Sequence, residues 1–329
     1  MIVLQSIIAA VIPAVIYTSL IYYIDRYEKE PLWLLAATFG WGMIPAILLA
    51  LFFNAVFGFP FYFLFGEAGN AAVASFVAPL VEESVKGIVM LLILFMWREQ
   101  IDSLLDGIIY GAMVGMGFAM IENIFYFVQV FEEGGREAWQ LNIFLRAVLF
   151  GLNHALFTGM TGLGVAVARL TPQRGLRIFA PMLGWGAAVV LHGVHNLSAS
   201  AVDVVGLIAC IPLLANEGGG LFITAVIIIW SLWQEKQWIQ RHLREEVALG
   251  TLTTRQYEIA RSAFIRWQHR WQLLFTAGPR AFFTALNFYF LCSRLAYSKQ
   301  HYQTLQDEES LNRVEQLRTE VAWQSREVL

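Results

Sequence analysis

The feature that most constrains this chain is the recurrence of apolar runs about 20 residues long, the length a helix needs to cross the hydrocarbon core of a bilayer. They fall at 2–24, 32–57, 69–97, 103–131, 143–168 and 178–200. Only 14% of the 329 residues are charged and 58% are hydrophobic, where a soluble globular domain carries about 25% charged residues. The expected fold is an all-α, polytopic transmembrane helix bundle. A net charge of −3 supplies no basic field for nucleic acid. Cys210 and Cys292 lie in different regions and make neither a disulfide framework nor a CxxC site. The first run begins at Ile2 with no basic n-region and no small-residue cleavage site before Asp25, so it reads as a retained span.

The region 201–234 is less regular. The piece 202–215 is too short to span, Asn216-Glu-Gly-Gly-Gly220 is expected to break it, and 221–234 resumes the apolar pattern. Basic loops fix the expected orientation. Arg26 and Lys29 lie in loop 25–31, Arg98 in 98–102, and Arg169, Arg174 and Arg177 in 169–177, whereas the loops near 58–68 and 132–142 contribute only Arg136. Cytoplasmic loops are the Lys/Arg-rich ones. The N-terminus is therefore expected outside and the C-terminus, which follows Lys236, Arg241 and Arg244, inside. That requires an odd number of crossings, about seven, with 201–220 partly re-entrant or at the outer surface.

The chain divides into 1–234, the membrane region, and 235–329, a helical cytoplasmic C-terminal region dense in charge. Thr253 or Thr254 is expected to cap a helix reaching about Phe275, and Ala277-Gly-Pro279 to stop it. The run 281–296 holds Arg294 and is short for a span, so it reads as a core helix or one lying on the membrane surface. Leu305, Leu311, Val314, Leu317 and Val321 give a last amphipathic helix.

The exceptions to apolarity lie inside the spans. Ala78-Pro-Leu-Val-Glu-Glu-Ser-Val-Lys86 places Glu82, Glu83 and Lys86 within one turn or so. A lone ionised side chain at the bilayer centre costs roughly 2.5–3.5 kcal/mol on insertion scales, and such residues mark functional sites by default. A Glu–Lys pair that only joined two helices would need one Glu, not two. Asp106 to Asn123 repeats glycine at 107, 111 and 115, the spacing that lets helix backbones approach closely. The same span carries Glu122 and Asn123. Phe150-Gly-Leu-Asn-His154, with Arg146 two turns earlier, and His192-Gly-Val-His-Asn196 complete the set. His192 and Asn196 are one turn apart and face one point, while His195 faces elsewhere. At 1.5 Å per residue, Glu82, Glu122, His154 and His192 fall within about 8 Å of one another along the membrane normal.

A carboxylate beside a His in a dry cavity can take a proton from water, and a second His with an Asn amide can donate to a developing oxyanion. This describes peptide hydrolysis without a Ser or Cys nucleophile. The same residues, Glu82, His154 and His192, could instead hold zinc, which takes three protein ligands in catalytic sites. No H-E-x-x-H helix is present. A proton-coupled transporter and a non-catalytic membrane scaffold are the alternatives; no inverted repeat supports the transporter.

At these motifs the chain resembles the PrsW family of intramembrane proteases and, more distantly, the CAAX-processing and bacteriocin-processing membrane proteases. The likeness rests on Glu82-Glu83-x-x-Lys86, Asp106-Gly-x-x-Tyr110 through Glu122-Asn123, Phe150-x-x-x-His154 and His192-Gly-x-x-Asn196, and covers roughly 1–235. It implies an endopeptidase acting on membrane-anchored proteins in a bacterial cell membrane, in the best-known case a single-span anti-sigma factor. Carried over, Glu82 and His154 activate water, His192 and Asn196 form the oxyanion hole, and Glu83 and Lys86 orient them, although the CAAX group has an Arg one residue after the position of Lys86. Glu122 belongs to the PrsW-type pattern as a further catalytic or supporting carboxylate, with Asn123 and Phe150 supporting. The resemblance leaves the cofactor as none or zinc, because the family has been described both as metalloproteases and as glutamic proteases.

Overall fold

The computed structural model describes residues 1–66 and 68–328. Glu67, in the loop expected at 58–68, and Leu329, the last residue of the expected C-terminal region, lie outside the described residues. The described residues are almost entirely helical and contain no strand. Two compact units are present. The first comprises 1–24, 30–169 and 175–227; the second comprises 25–29, 170–174 and 228–329.

In the first unit, α1 (Ile2–Ile24) is followed by α2 (Leu32–Trp41), which passes through a π-helical turn at Gly42–Ala46 into α3 (Ile47–Phe65). After α4 (Ala68–Ala72) and a second π-helical turn, Val73–Val77, comes α5 (Ala78–Met96). Then follow α6 (Leu104–Ile143), α7 (Asn153–Leu170) and α8 (Arg174–Val205). Among the described residues, five helical stretches are long and apolar enough to cross a membrane: Ile2–Ile24, Leu32–Phe65, Leu104–Leu170, Arg174–Val202 and Gly206–Ala248. The protein is thus an integral membrane helix bundle. Helix α5 misses that criterion because Glu82, Glu83 and Lys86 interrupt its apolar surface.

The stretch Leu104–Leu170 holds two of the expected runs. Residues 132–142, expected as a loop, are helical apart from Gly135, whose φ of 72° breaks α6 in one residue. That backbone region is open to glycine at no steric cost, so the chain reverses there without a longer loop. Beyond the break, Trp139 donates to Ser6 Oγ at 3.0 Å, and Tyr17 donates to the Ala147 carbonyl at 3.1 Å, so α1 lines this segment. Ser103 caps α6 reciprocally with Asp106, which accounts for Asp106 as a structural residue.

The expected break at Asn216–Gly220 is not present: α9 runs unbroken over Cys210–Ala248, and the chain turns earlier, at Gly206. Tertiary packing overrides the helix-breaking composition. Asn216 Nδ2 donates to the Leu191 carbonyl at 2.9 Å, and Gly220 lies so close to Leu156 that a Cβ would stand 2.9 Å from its methyl carbon. Small residues permit such contacts between membrane helices.

The second unit is built from the end of α9 with α10 (Thr254–Ala260), α11 (Ala263–Ala277), α12 (Pro279–Leu305) and α13 (Glu308–Gln324). Thr253 caps α10 as expected, but Ser262 starts a separate helix, so the single helix expected to Phe275 is two. Gly278 and Pro279 end α11 and begin α12. Helix α12 is the central core helix: Ala285, Phe288, Cys292, Leu295 and Ala296 are fully buried, against Ile239 and Leu243 of α9 and Val321 of α13.

Candidate active site

The site is assembled by four helices of the first unit. Helix α5 turns Glu82, Glu83 and Lys86 inward, where all three are buried, while Leu80, Ile88 and Phe95 of the same helix point outward. The glycines of α6 bring α7 against it. At Gly115 a Cβ would stand 2.0 Å from the His154 carbonyl oxygen, so only glycine lets the first turn of α7 reach this depth. Gly107 and Gly111 meet Gly162 and Thr158 in the same seam. Helix α8 supplies His192, which stacks on the Phe157 ring of α7 at 5.0 Å.

Glu83 is the hub. Its Oε1 accepts from Lys86 Nζ at 2.8 Å and lies 3.0 Å from His192 Nδ1; its Oε2 accepts from Thr158 Oγ1 at 3.0 Å. Lys86 Nζ also lies 3.1 Å from His154 Nδ1, 3.5 Å from Glu82 Oε2 and 3.8 Å above the Phe118 ring. An ammonium only donates, so His154 Nδ1 accepts. The ring proton of His154 is therefore on Nε2, which donates to Glu122 Oε2 at 3.0 Å. Arg146 also donates to Glu122, and to Asn123 Oδ1 at 2.8 Å.

The same logic fixes His192. Glu83 is an acceptor, so His192 Nδ1–H donates to it and Nε2 carries the lone pair. That Nε2 faces Glu82 Oε2 across 3.9 Å. Glu82 Oε2 is buried and has no hydrogen-bond partner. Two acceptors thus face one another, an arrangement that a donor such as a water O–H satisfies.

The expected residues come together with different pairings. Glu82, Glu83, Lys86, Glu122, His154 and His192 form one network, with Asn123 at its edge through Arg146. The direct partner of Glu82 among the imidazoles is His192 rather than His154, whose two nitrogens are committed to Lys86 and Glu122. Asn196 gives its amide to the Ala74 carbonyl in the π-helical turn before α5, at 2.9 Å. Phe150 packs on His195, at 5.4 Å between ring centres, not on His154.

Sequence reasoning passed over Thr158, Phe118 and Phe157, whose apolar or weakly polar character carries no signal by itself. It also passed over a second polar group. His195 Nδ1 lies 2.9 Å from Glu217 Oε1 and 3.0 Å from Asn153 Nδ2, and Asn216 Nδ2 donates to Glu217 Oε1 at 3.2 Å. Glu217, the lone acid between Cys210 and Gln234, was the available signal.

The donor set also fits a metal by type. One ligand atom each from Glu82, His154 and His192 lie within 4.8 Å of one another, and two His with one carboxylate is a set that catalytic zinc takes. The orphaned Glu82 Oε2 suits a cation as well as a proton donor. Glu83 behind His192 is the carboxylate–imidazole support typical of such sites. His154 is the ligand that would have to exchange a partner.

A sequence profile described as "PrsW family intramembrane metalloprotease" matches residues 30–231. The chain is similar to the Protease PrsW of Clostridioides difficile, 28% identical over 249 residues that cover 76% of this chain and 97% of that protein. It is also similar to the Protease PrsW of Geobacillus kaustophilus, 33% identical over 192 residues (57% and 76%), and of Bacillus subtilis, 27% identical over 202 residues (59% and 83%). No solved structure matches.

Proposed function

Because the chain belongs to the PrsW family of intramembrane proteases, we propose that its buried cluster hydrolyses the peptide bond with water activated between Glu82 and His192. The protein is an intramembrane protease, and its substrates are membrane-embedded proteins; the transporter and scaffold alternatives are set aside. The observation that supports this mechanism is the pair of facing acceptors, Glu82 Oε2 and His192 Nε2, 3.9 Å apart.

Glu82 takes a proton from water as the water oxygen bonds to the scissile carbon and the carbonyl electron pair moves onto its oxygen. Collapse of that adduct breaks the C–N bond, and Glu82 returns the proton to the leaving amine. Glu83 holds His192 in one tautomer, and Lys86 holds Glu83 and His154. The proton taken by Glu82 moves on to His192 Nε2 while the adduct stands, so that His192 Nε2–H and the remaining amide N–H of Asn196 are the donors we assign to the oxyanion, and it comes back to Glu82 before the C–N bond breaks. Glu122 fixes His154 from the far side.

A metal-dependent variant rests on the proximity of Glu82, His154 and His192. When bound there, a zinc ion supplies a Lewis acid that polarises the carbonyl and acidifies water.

We assign catalysis to 1–234 and place 235–329 in the cytoplasm, with the N-terminus outside, from the Lys/Arg distribution of the loops. The substrate class we propose is a single-span membrane protein, such as an anti-sigma factor, in a bacterial cell membrane. The test is cleavage of single-span reporters by purified wild type, Glu82→Gln and His154→Ala, with and without a zinc chelator. Cleavage lost in Glu82→Gln and indifferent to chelator is expected for water activated by Glu82 and His192. Loss on chelation with recovery on added zinc replaces that mechanism with the metal-dependent one. Full cleavage by Glu82→Gln would overturn both.

A further inference from the structure

Helix α11 is built the wrong way round for water. Its buried residues are Arg266 and His269. Its outward face carries Phe264, Trp267, Trp271 and Phe275 at helical spacing, with exposures of 63%, 51%, 40% and 82%. The rings form a ladder: Phe264–Trp267 at 6.2 Å, Trp267–Trp271 at 6.4 Å and Trp271–Phe275 at 6.1 Å between centres. Trp271 continues it to Phe282 at 5.8 Å, where α12 begins, and Phe283 is exposed beside it.

The helix cannot roll to hide this face. Arg266 donates inward to the carbonyls of Ala260 and Tyr289 and to Ser293 Oγ, and His269 Nδ1 lies 2.8 Å from the Tyr289 hydroxyl. Rolling would strip a buried guanidinium of these hydrogen bonds. The aromatics are therefore held outward by the interior, although apolar surface left in water forfeits about 25 cal/mol per Å².

Charge selects the medium. From Ile259 to Gln306 the sequence contains Arg261, Arg266, Arg270, Arg280, Arg294 and Lys299 and no Asp or Glu, in a chain whose net charge is −3. Arg280 is exposed at the start of α12, beside the aromatic face. Trp and Phe on one face with flanking Arg and no acid is the composition of an interfacial helix. The second unit is also tethered to the bilayer by its own chain. It includes 25–29 and 170–174, the short links between Ile24 and Leu32 and between Leu170 and Arg174 at the ends of membrane-crossing stretches.

We propose that α11 and the first turns of α12 are an interfacial membrane anchor, with the aromatic face seated at the headgroup–acyl boundary of an anionic leaflet. The anchor adds a lipid-sensing contact to a region to which the protease family match does not extend.

The test uses full-length protein reconstituted in phosphatidylcholine vesicles with and without phosphatidylglycerol. Cys210→Ser, with the buried Cys292 retained, provides the background. One nitroxide is placed through Phe275→Cys or, as a second exposed site on the same face, Gln268→Cys; the control is Gln316→Cys on α13. Retained reporter cleavage checks that each labelled protein is folded. The expected result is high accessibility to oxygen and low accessibility to a water-soluble nickel chelate at 275 and 268. The contrast should be severalfold greater than at 316 and should grow with the anionic lipid fraction. Nickel accessibility at 275 equal to that at 316 overturns the proposal. So does shielding from both reagents, which would mean that protein covers the face.

Discussion

Among the described residues, two buried ionic clusters, one in each unit, differ in one atom. In the second unit Glu246 is wholly buried and wholly satisfied: Lys299 Nζ lies at 2.7 Å and Arg318 binds both carboxylate oxygens at 3.0 Å. That cluster ties α9, α12 and α13 together and leaves neither oxygen of Glu246 without a donor. In the first unit Glu83 is just as fully engaged, by Lys86, His192 and Thr158, but its neighbour Glu82 keeps Oε2 without a hydrogen bond, facing an imidazole lone pair. Buried charge alone is thus no sign of chemistry, since a closed cluster is a structural clamp. A carboxylate oxygen without a hydrogen bond beside an imidazole lone pair is what distinguishes the site: where His242 Nδ1 faces Glu245 Oε2 at 3.8 Å, that oxygen is held by Lys299 at 2.8 Å. Asp25 sharpens the rule from the other side. Its Oδ2 is also buried and without a hydrogen bond, yet the carboxylate sits among the Tyr27 and Glu28 N–H groups and the cations Lys29 and Arg266.

The strongest way to break this comparison is Glu82→Gln. Cleavage should fall by about 10³-fold or more, with thermal unfolding of the purified protein little changed, because the amide keeps the size of the carboxylate and Lys86, which loses its 3.5 Å ion pair with Glu82, keeps Glu83 at 2.8 Å. The converse is Glu246→Ala. It leaves Lys299 and Arg318 without their carboxylate and should destabilise the second unit by about 3–5 kcal/mol, read as earlier proteolytic cutting within 228–329. Cleavage per folded molecule should stay the same. An equal loss of activity and stability in both variants would erase the distinction.

Asp25→Asn tests an open oxygen without an imidazole. Burial raises the Asp25 carboxyl from 3.8 to about 6, so its folded form binds the proton more tightly than the unfolded chain does. The stability that this protonation contributes is full below about pH 4 and is lost as pH rises through about 6. At neutral pH the ionised form therefore carries a penalty of roughly 3 kcal/mol, at about 1.4 kcal/mol per pKa unit. Asparagine keeps the acceptor for Tyr27 N and Glu28 N. Asp25→Asn should raise the unfolding temperature above pH 6 and make no difference below pH 4.

The smallest expected effect is at Glu217, whose Oε2 is buried and unpartnered and whose Oε1 faces His195. It resembles Glu82 but stands one shell away, joined to the cluster through Asn153 next to His154. Glu217→Gln should lower kcat about tenfold with KM unchanged, and Glu217→Asp should restore part of it. No change in kcat would confine the open-acceptor rule to Glu82.

Much of this was legible in the sequence. Glu82, Glu83, Lys86, Glu122, His154 and His192 stand out because an ionisable group in an apolar span is costly, and that cost is a property of the residue and its neighbours in the chain. Glycine at 107, 111 and 115 announced the close helix seam. Asn216–Gly220 misled for the same local reason: three glycines argue against a helix, and only contacts to Leu191 and Leu156 hold α9 straight through them. Helix α11 shows a second limit. Periodicity reveals an aromatic stripe but not which side of the helix faces the interior.

The sequence by itself determined that this is a membrane helix bundle, which residues are too polar for their spans, and which family motifs they form. These follow from composition and spacing along the chain. The tertiary structure alone decided which imidazole meets which carboxylate, that Glu83 is closed while Glu82 is open, that Asn196 turns to a backbone carbonyl, and that α11 faces its aromatics outward. Each of those depends on distances between segments tens to hundreds of residues apart, which local composition and spacing do not encode.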